Sequence, residues 1–426
     1  MLRNLIVGLA LATCTLPSLA NPRSLSGSAL YQSIEHYAAL GDHRTATAAD
    51  RQTSQWLADK LRQAGFAVDS QDFTVEQFFP EQQQLTIAGR NIEVFPHWFP
   101  QATDAPINAA LLPFDSPVLE GHIAYLAPAE ASPWYRLRPA ELAKQAAKKG
   151  ALALIIAAPH PSSEIYASNA EQQQPLAIPT VAVAAKNHPV LAAALQQQQS
   201  VELTSNGRYQ AATAQNILGR FPASPIDGAP WVVISTPSSG WFQCAGERGG
   251  GVALWLGLAE HIAEQTTPYN WLFVANSGHE LGMMGAQLSL TKMPPPEEVA
   301  LWLHLGASIG ARDWQDEGGQ LIPLERIHSY NRLYAAPAAL AAASTAFQAV
   351  PDIEILPSKA LNRSHSELGA IIEHGYPAMG LVGSHHFFHT PGDTPVVTSA
   401  ALLAPYGKAL LRLSDALHKA HAAGTK

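Results

Sequence analysis

Cysteine is almost missing, with two in 426 residues. Cys14 falls in an N-terminal leader described below, so Cys244 is left alone and the mature chain cannot form an internal disulfide. Charge is sparse at 14%, the net charge is −8, and Lys and Arg are scattered singly. Nothing in that pattern could neutralise a run of phosphates, which excludes nucleic acid as a partner. Beyond the leader no apolar run reaches the roughly 20 residues that span a bilayer, so no membrane span is expected. Two short signatures are absent as well. Without H-E-x-x-H there is no helical zincin site, and without G-x-x-x-x-G-K-[ST] there is no phosphate loop.

What is present is a globular chain of two or three domains. Hydrophobic residues make up 47% and can bury a substantial core. Residues 1–20 read as an export signal: Arg3 supplies the positive start, Leu5 to Leu16 the apolar stretch, and Ser18-Leu19-Ala20 the cleavage site. The protein is therefore expected in the periplasm or outside the cell.

Thr47 to Gly65 reads as a helix, opened by Thr47 and Asp50 at capping-box spacing and closed by Gly65 before the strand Phe66–Val68. Further on, short apolar runs alternate with helical patterns: strands at Gly121–Leu126, Ala151–Ile156 and Ile178–Val183, then Trp231–Ser235, Trp271–Ala275, Ala300–Leu305 and Ala378–Val382. Helices are expected at Pro139–Lys149, Gly249–Ala263, Glu280–Leu290 and Ala336–Ala349. Such alternation implies an α/β fold with a largely parallel sheet between helical layers, and functional loops at the carboxyl ends of its strands.

Four of those places carry polar residues. The first loop contains Cys244, Glu247 and a glycine-rich lead-in to a helix, whose free N–H groups suit an anion. The second places His279 beside Glu280, and the third puts His304 in an apolar strand. The fourth, His385-His386-Phe387-Phe388-His389-Thr390-Pro391-Gly392-Asp393, holds three histidines. Each has a plain structural reading: a glycine turn, a helix cap, a satisfied core histidine, a polar surface loop.

Together these loops resemble the co-catalytic zinc aminopeptidases, a group that also contains glutaminyl cyclases and the non-enzymatic transferrin-receptor ectodomain. Phe388-His389-Thr390-Pro391-Gly392-Asp393-Thr394 resembles that family's Tyr-His-Thr-Pro-x-Asp-Thr segment. Ser366-Glu367 through Gly375-Tyr376-Pro377-Ala378 resembles its Ser-Asp-His…Gly-x-Pro-Ala stretch. The resemblance covers nearly the whole mature chain. It implies a three-layer α/β sandwich formed by residues 21–103 and 213–426, with 104–212 as an inserted protease-associated domain.

It also implies a heavily altered metal site. Where the family has His-x-Asp this chain has Pro237 and Ser239, and proline cannot coordinate a metal. The bridging Asp appears as Glu247, the Glu-Glu pair as His279-Glu280, the later Asp ligand as His304, and the last ligand as His389. One zinc set is broken; the other, Glu247, Glu280 and His389, keeps two carboxylates and an imidazole, which leaves a fourth position for water. The expectation is thus one zinc, His279 as proton carrier, and hydrolysis of peptide or other amide bonds, with His304 as a further ligand if it approaches the metal. A second reading is an inactive homologue that binds its ligand without metal. A third makes Cys244 the nucleophile of an amide hydrolase, activated by a neighbouring histidine.

Overall fold

The structure is a computed structural model that describes residues 23–170, 173–362 and 366–424. The expected export signal lies outside the described residues. Four parallel strands form the centre of the larger sheet, in the spatial order Ala378–Gly383, Val299–Leu305, Trp231–Pro237 and Asn270–Asn276. The last two are apolar along most of their length, as strands covered on both faces must be. Asn331–Ala335 joins antiparallel to Ala378–Gly383 and carries the edge strand Glu354–Pro357. On the other side Ser200–Phe221 runs antiparallel to Asn270–Asn276.

Helices cover both faces. Gly250–Ala263 lies on one face and shares a core with Gly27–Ala39, Ala48–Gln63 and Ala400–Gly424 through Leu30, Ile34, Leu57, Trp255 and Tyr406. On the other face Leu368 and Ile371 of the helix Glu367–Glu373 pack against Val233, Leu272 and Trp302. The result is the expected three-layer α/β arrangement. The glycines before Gly250–Ala263 serve this packing: a Cβ on Gly250 would clash with the Ile309 carbonyl oxygen, and one on Gly251 would crowd that of Leu305.

A smaller unit has its own core and a parallel run of strands, Ile107–Pro113, Ile123–Leu126, Ala153–Ala157 and Thr180–Val183, with Val94–Pro96 antiparallel at the edge. A ribbon of two long antiparallel strands, Ala67–Ile87 and Ser200–Phe221, links it to the larger sheet, with one irregularity between Pro80 and Gln82. Only the first residues of this ribbon carried a strand signal in the sequence. Its Gln-rich middle has weak strand propensity, and the pairing is made with a partner more than a hundred residues away.

Other elements differ in detail. The Ala48–Gln63 helix begins as expected, with the Thr47 side chain accepting from Asp50 N (3.3 Å), but the Asp50 carboxylate accepts from Ala46 N and from Ser277 Oγ rather than closing the box on Thr47. The helix expected at Glu280–Leu290 is split into a 3-10 turn, His279–Leu281, and a helix, Met284–Leu290. The residues between them, Gly282 and Met283, are both left-handed. Among the described residues no helix is long and apolar enough to cross a membrane.

Candidate active site

The parallel strands deliver the four loops to one edge, as the topology requires. Glu247 and Arg248 lie on a π-helical turn, Ala245–Gly249, that leads into the helix Gly250–Ala263. The N–H groups of Gly246 and Glu247 donate to the two oxygens of Asp393 (2.6 and 3.1 Å). The anion that this helix start was expected to suit is therefore a side chain of the His385–Asp393 loop, and it fixes two functional loops together. Phe242, Cys244, Met283 and His389 all have positive φ, so left-handed non-glycine backbone gathers around this edge.

Arg248 changes the reading of the metal site. Its side chain is buried, and Nη2 lies 2.6 Å from Glu247 Oε1. The same oxygen is 3.1 Å from His389 Nε2, while His389 Nδ1 lies 2.9 Å from the Ala167 carbonyl oxygen. His389 is thus held from both sides of its ring, by the Ala167 carbonyl and by Glu247. Burial alone would raise the Glu247 carboxyl, but Arg248 and His389 hold it well below the ordinary carboxylate range. Arg248 also donates from Nε to the Ser239 carbonyl (3.0 Å).

The expected zinc ligands do not converge as a donor set. Glu280 turns away: its Oε2 accepts from Thr45 Oγ1 (2.6 Å) and Ser239 Oγ (3.0 Å), and its Oε1 is buried without a partner. Burial raises its carboxyl above the ordinary range. Among the described residues, Glu247, Glu280 and His389 do not bring one ligand atom each within 4.8 Å of one another. The guanidinium, which keeps its charge at any working pH, takes Glu247 Oε1 as its partner at 2.6 Å. These residues do not fit a zinc ion.

His304 is a satisfied histidine at the wall of the cleft. Its Nδ1 lies 3.0 Å from Ser235 Oγ, which also accepts from Trp302 Nε1 (2.8 Å), and burial lowers its pKa to about 4, so it is neutral. Cys244 is fully buried, with Sγ 3.5 Å from Glu247 Oε2. Burial, then the Glu247 charge, pushes the thiol well above its ordinary pKa. A nucleophilic Cys244 needs the opposite, so that expectation is corrected: it is an inert core thiol.

His279 does reach a cleft. It borders two adjoining spaces, about 440 Å³ between the larger and smaller units and about 340 Å³ on the Arg248 and His304 side. Its Nδ1 lies 2.8 Å from Glu367 Oε1, and Glu367 is buried. Burial would raise the Glu367 carboxyl, but its hydrogen bond with His279 holds it below the ordinary range. An ionised carboxylate takes a proton donor at Nδ1, which fixes the orientation of the ring.

Sequence reasoning missed Glu367 and Arg248 as site residues. Glu367 stood inside the Ser366-Glu367 segment and Arg248 directly after Glu247, but nothing in the chain said which partner each would meet. It also missed the part played by the smaller unit. Ala167 N and Ala170 N donate to the carbonyls of His389 (3.0 Å) and Glu280 (2.8 Å), and Gly392 N donates to Glu164 Oε2 (2.7 Å). Tyr166 stacks on the His389 ring.

No family model and no curated protein matches the chain. Solved structures do. The peptidase M28 precursor from Shewanella amazonensis SB2B aligns with a TM-score of 0.71 at 18% identity, covering 92% of this chain and 93% of that one. BSAP, a zinc aminopeptidase from Bacillus subtilis, gives 0.68 at 18% identity over 92% and 94%. An aminopeptidase from Aneurinibacillus sp. strain AM-1 gives 0.61 at 15% identity over 92% and 94%. Coverage is nearly complete on both sides in each case, and this protein has the fold of the zinc aminopeptidases.

Proposed function

We propose that this protein hydrolyses peptide or other small amide bonds in the His279 cleft by a metal-independent route, with His279 as general base and Glu367 as its positioning carboxylate. The observation that carries this reading is the 2.8 Å contact between His279 Nδ1 and Glu367 Oε1 where two clefts meet. His279 Nε2 accepts a proton from water, and the hydroxide so formed adds to the substrate carbonyl. The buried Glu367 charge stabilises the imidazolium, which then returns its proton to the leaving amine as the C–N bond breaks. Arg248 lines the same cleft, where its charge is paired with Glu247. BSAP is named as a zinc aminopeptidase, and the donor geometry here argues against zinc in this cleft.

The test is turnover of amino-acid amides and short peptides by the purified chain. Activity should survive a strong chelator and fall roughly 10²–10⁴-fold in His279→Ala and in Glu367→Gln, with both variants still folded by circular dichroism. Loss on chelation with recovery on added zinc would defeat the metal-independent route.

A second reading, a binding module without catalysis, draws support from the Arg248–Glu247–His389 cluster, which closes the place where a metal would polarise the carbonyl. Calorimetric binding of peptides with no turnover in any buffer would favour it. We further propose export, on the pattern of residues 1–20; N-terminal sequencing of the mature protein should start at or near Asn21, and an unprocessed cytoplasmic protein would exclude it.

A further inference from the structure

The His385–Asp393 loop was singled out for three histidines, and the candidate active site uses only one of them as a contact to Glu247. His386 points elsewhere. Its Nδ1 lies 3.9 Å from Asp313 Oδ1, and its ring centroid is 5.5 Å from that of His328, with the planes at 78°. Asp313 lies on the first strand of a hairpin, Arg312–Glu317 with Gln320–Ile327, and His328 directly follows the second; the hairpin packs over this loop through Trp314 and Phe387. One ligand atom from each of Asp313, His328 and His386 lies within 4.8 Å of the others.

We propose that Asp313, His328 and His386 bind one zinc ion, separate from the His279 cleft, that clamps the 312–327 hairpin to the loop carrying His389 and Asp393. Two imidazoles and a carboxylate are a donor set that suits zinc, with water in the fourth position. Tetrahedral ligands at about 2.0–2.2 Å from zinc stand roughly 3.3–3.6 Å apart, so the 3.9 Å gap closes with a shift of a fraction of an ångström.

The second observation is His386 Nδ1 itself, which is shut away from solvent and has no hydrogen-bond partner. A polar atom left in that state costs free energy unless something meets it, and a metal would. Asp313 is already aimed. Arg326 donates from Nε and Nη2 to Oδ2 (2.9 and 2.6 Å), while Oδ1 accepts from Trp314 N (2.9 Å) and keeps a lone pair towards His386. A carboxylate oriented through its other oxygen is the usual support for a ligand. The Arg326 side chain is 64% exposed, so water screens its charge.

His328 Nδ1 accepts from Tyr330 N (3.1 Å). Coordination through Nε2 moves the imidazole proton to Nδ1 with no net change in charge, and it gives up that one hydrogen bond at an exposed turn.

The experiment is zinc titration of the chelator-stripped full chain against a chromophoric competitor, with metal analysis and the thermal midpoint as further readouts. Wild type should take up one zinc per chain and gain thermal stability. His386→Gln and His328→Gln should each weaken binding by 10-fold or more and abolish the thermal gain, while His389→Ala should still bind. Failure of wild type to bind zinc would overturn the proposal and leave the metal-independent reading of the cleft untouched. Zinc binding that survives both Gln variants but is lost in His389→Ala would overturn the proposal and that reading together.

Discussion

Arg248 is the residue that decides most about this site, and its burial makes its energetics testable. It neutralises Glu247 at 2.6 Å inside the fold. Removing one partner of a buried ion pair leaves the other charge uncompensated, at a cost of about 3–5 kcal/mol. Arg248→Met should lose stability of that order in urea unfolding, and an unchanged midpoint would mean the pair is not formed in solution. At Cys244 the expectation is silence. The native protein should resist alkylation near neutral pH and react once denatured, because burial removes the thiol from reagent and raises its pKa together. Fast modification of the folded chain would restore the thiol hydrolase reading. Both residues were visible in the sequence, where Glu247, Arg248 and Cys244 are near neighbours. Which of them faces the cleft and which faces the core depends on a π-turn that no periodicity announces.

At the scale of elements, the active edge is held by hydrogen bonds between loops. Asp393 accepts the N–H groups of Gly246 and Glu247 on two different oxygens, and both atoms are buried. Asn in its place offers one acceptor oxygen, so one buried N–H loses its partner. Asp393→Asn should therefore cost about 1–3 kcal/mol and should reduce turnover with it, since Glu247 and Arg248 ride on the same turn. A variant as stable as wild type would show that the turn does not depend on this anchor. The Phe388–Thr394 segment was legible as a motif, and Asp393 stood in it. Its role as the partner of another loop was not legible, because the two positions are nearly 150 residues apart and meet only when the sheet brings both strand ends to one edge, with Val299–Leu305 between them.

The whole molecule buries many histidines, and that sets its response to acid. Burial lowers His43 to about 3 and His97 and His304 to about 4, against about 6.5 in an unfolded chain. Between those values the unfolded state binds protons that the folded state refuses, so the stability from these groups is full above about pH 6.5 and is lost as the pH falls towards 4. Asp50 acts in the opposite sense. Burial raises it to about 7, so its contribution improves as the pH falls from 7 towards 4. Each unit of separation is worth about 1.4 kcal/mol, and three histidines outweigh one aspartate. The thermal midpoint should therefore be lower at pH 4.5 than at pH 7.5; a midpoint that rises on acidification would contradict the burial of these histidines.

The sequence by itself determined the α/β class, the strands read at Trp231–Ser235, Trp271–Ala275, Ala300–Leu305 and Ala378–Val382, and the four loops that could carry function. Those features are local: apolar runs long enough to be buried, glycines where helix meets sheet, polar residues just past a strand end. It also carried the departures at Pro237 and His279, since residue type at a motif position needs no coordinates. Only the tertiary structure decided what the altered residues do. It turned Glu280 to Thr45 and Ser239, set His389 against Glu247, and paired His279 with Glu367 across 88 positions of chain. A buried side chain takes the partner that satisfies its charge and its hydrogen bonds, and that partner is chosen by which elements the fold brings together.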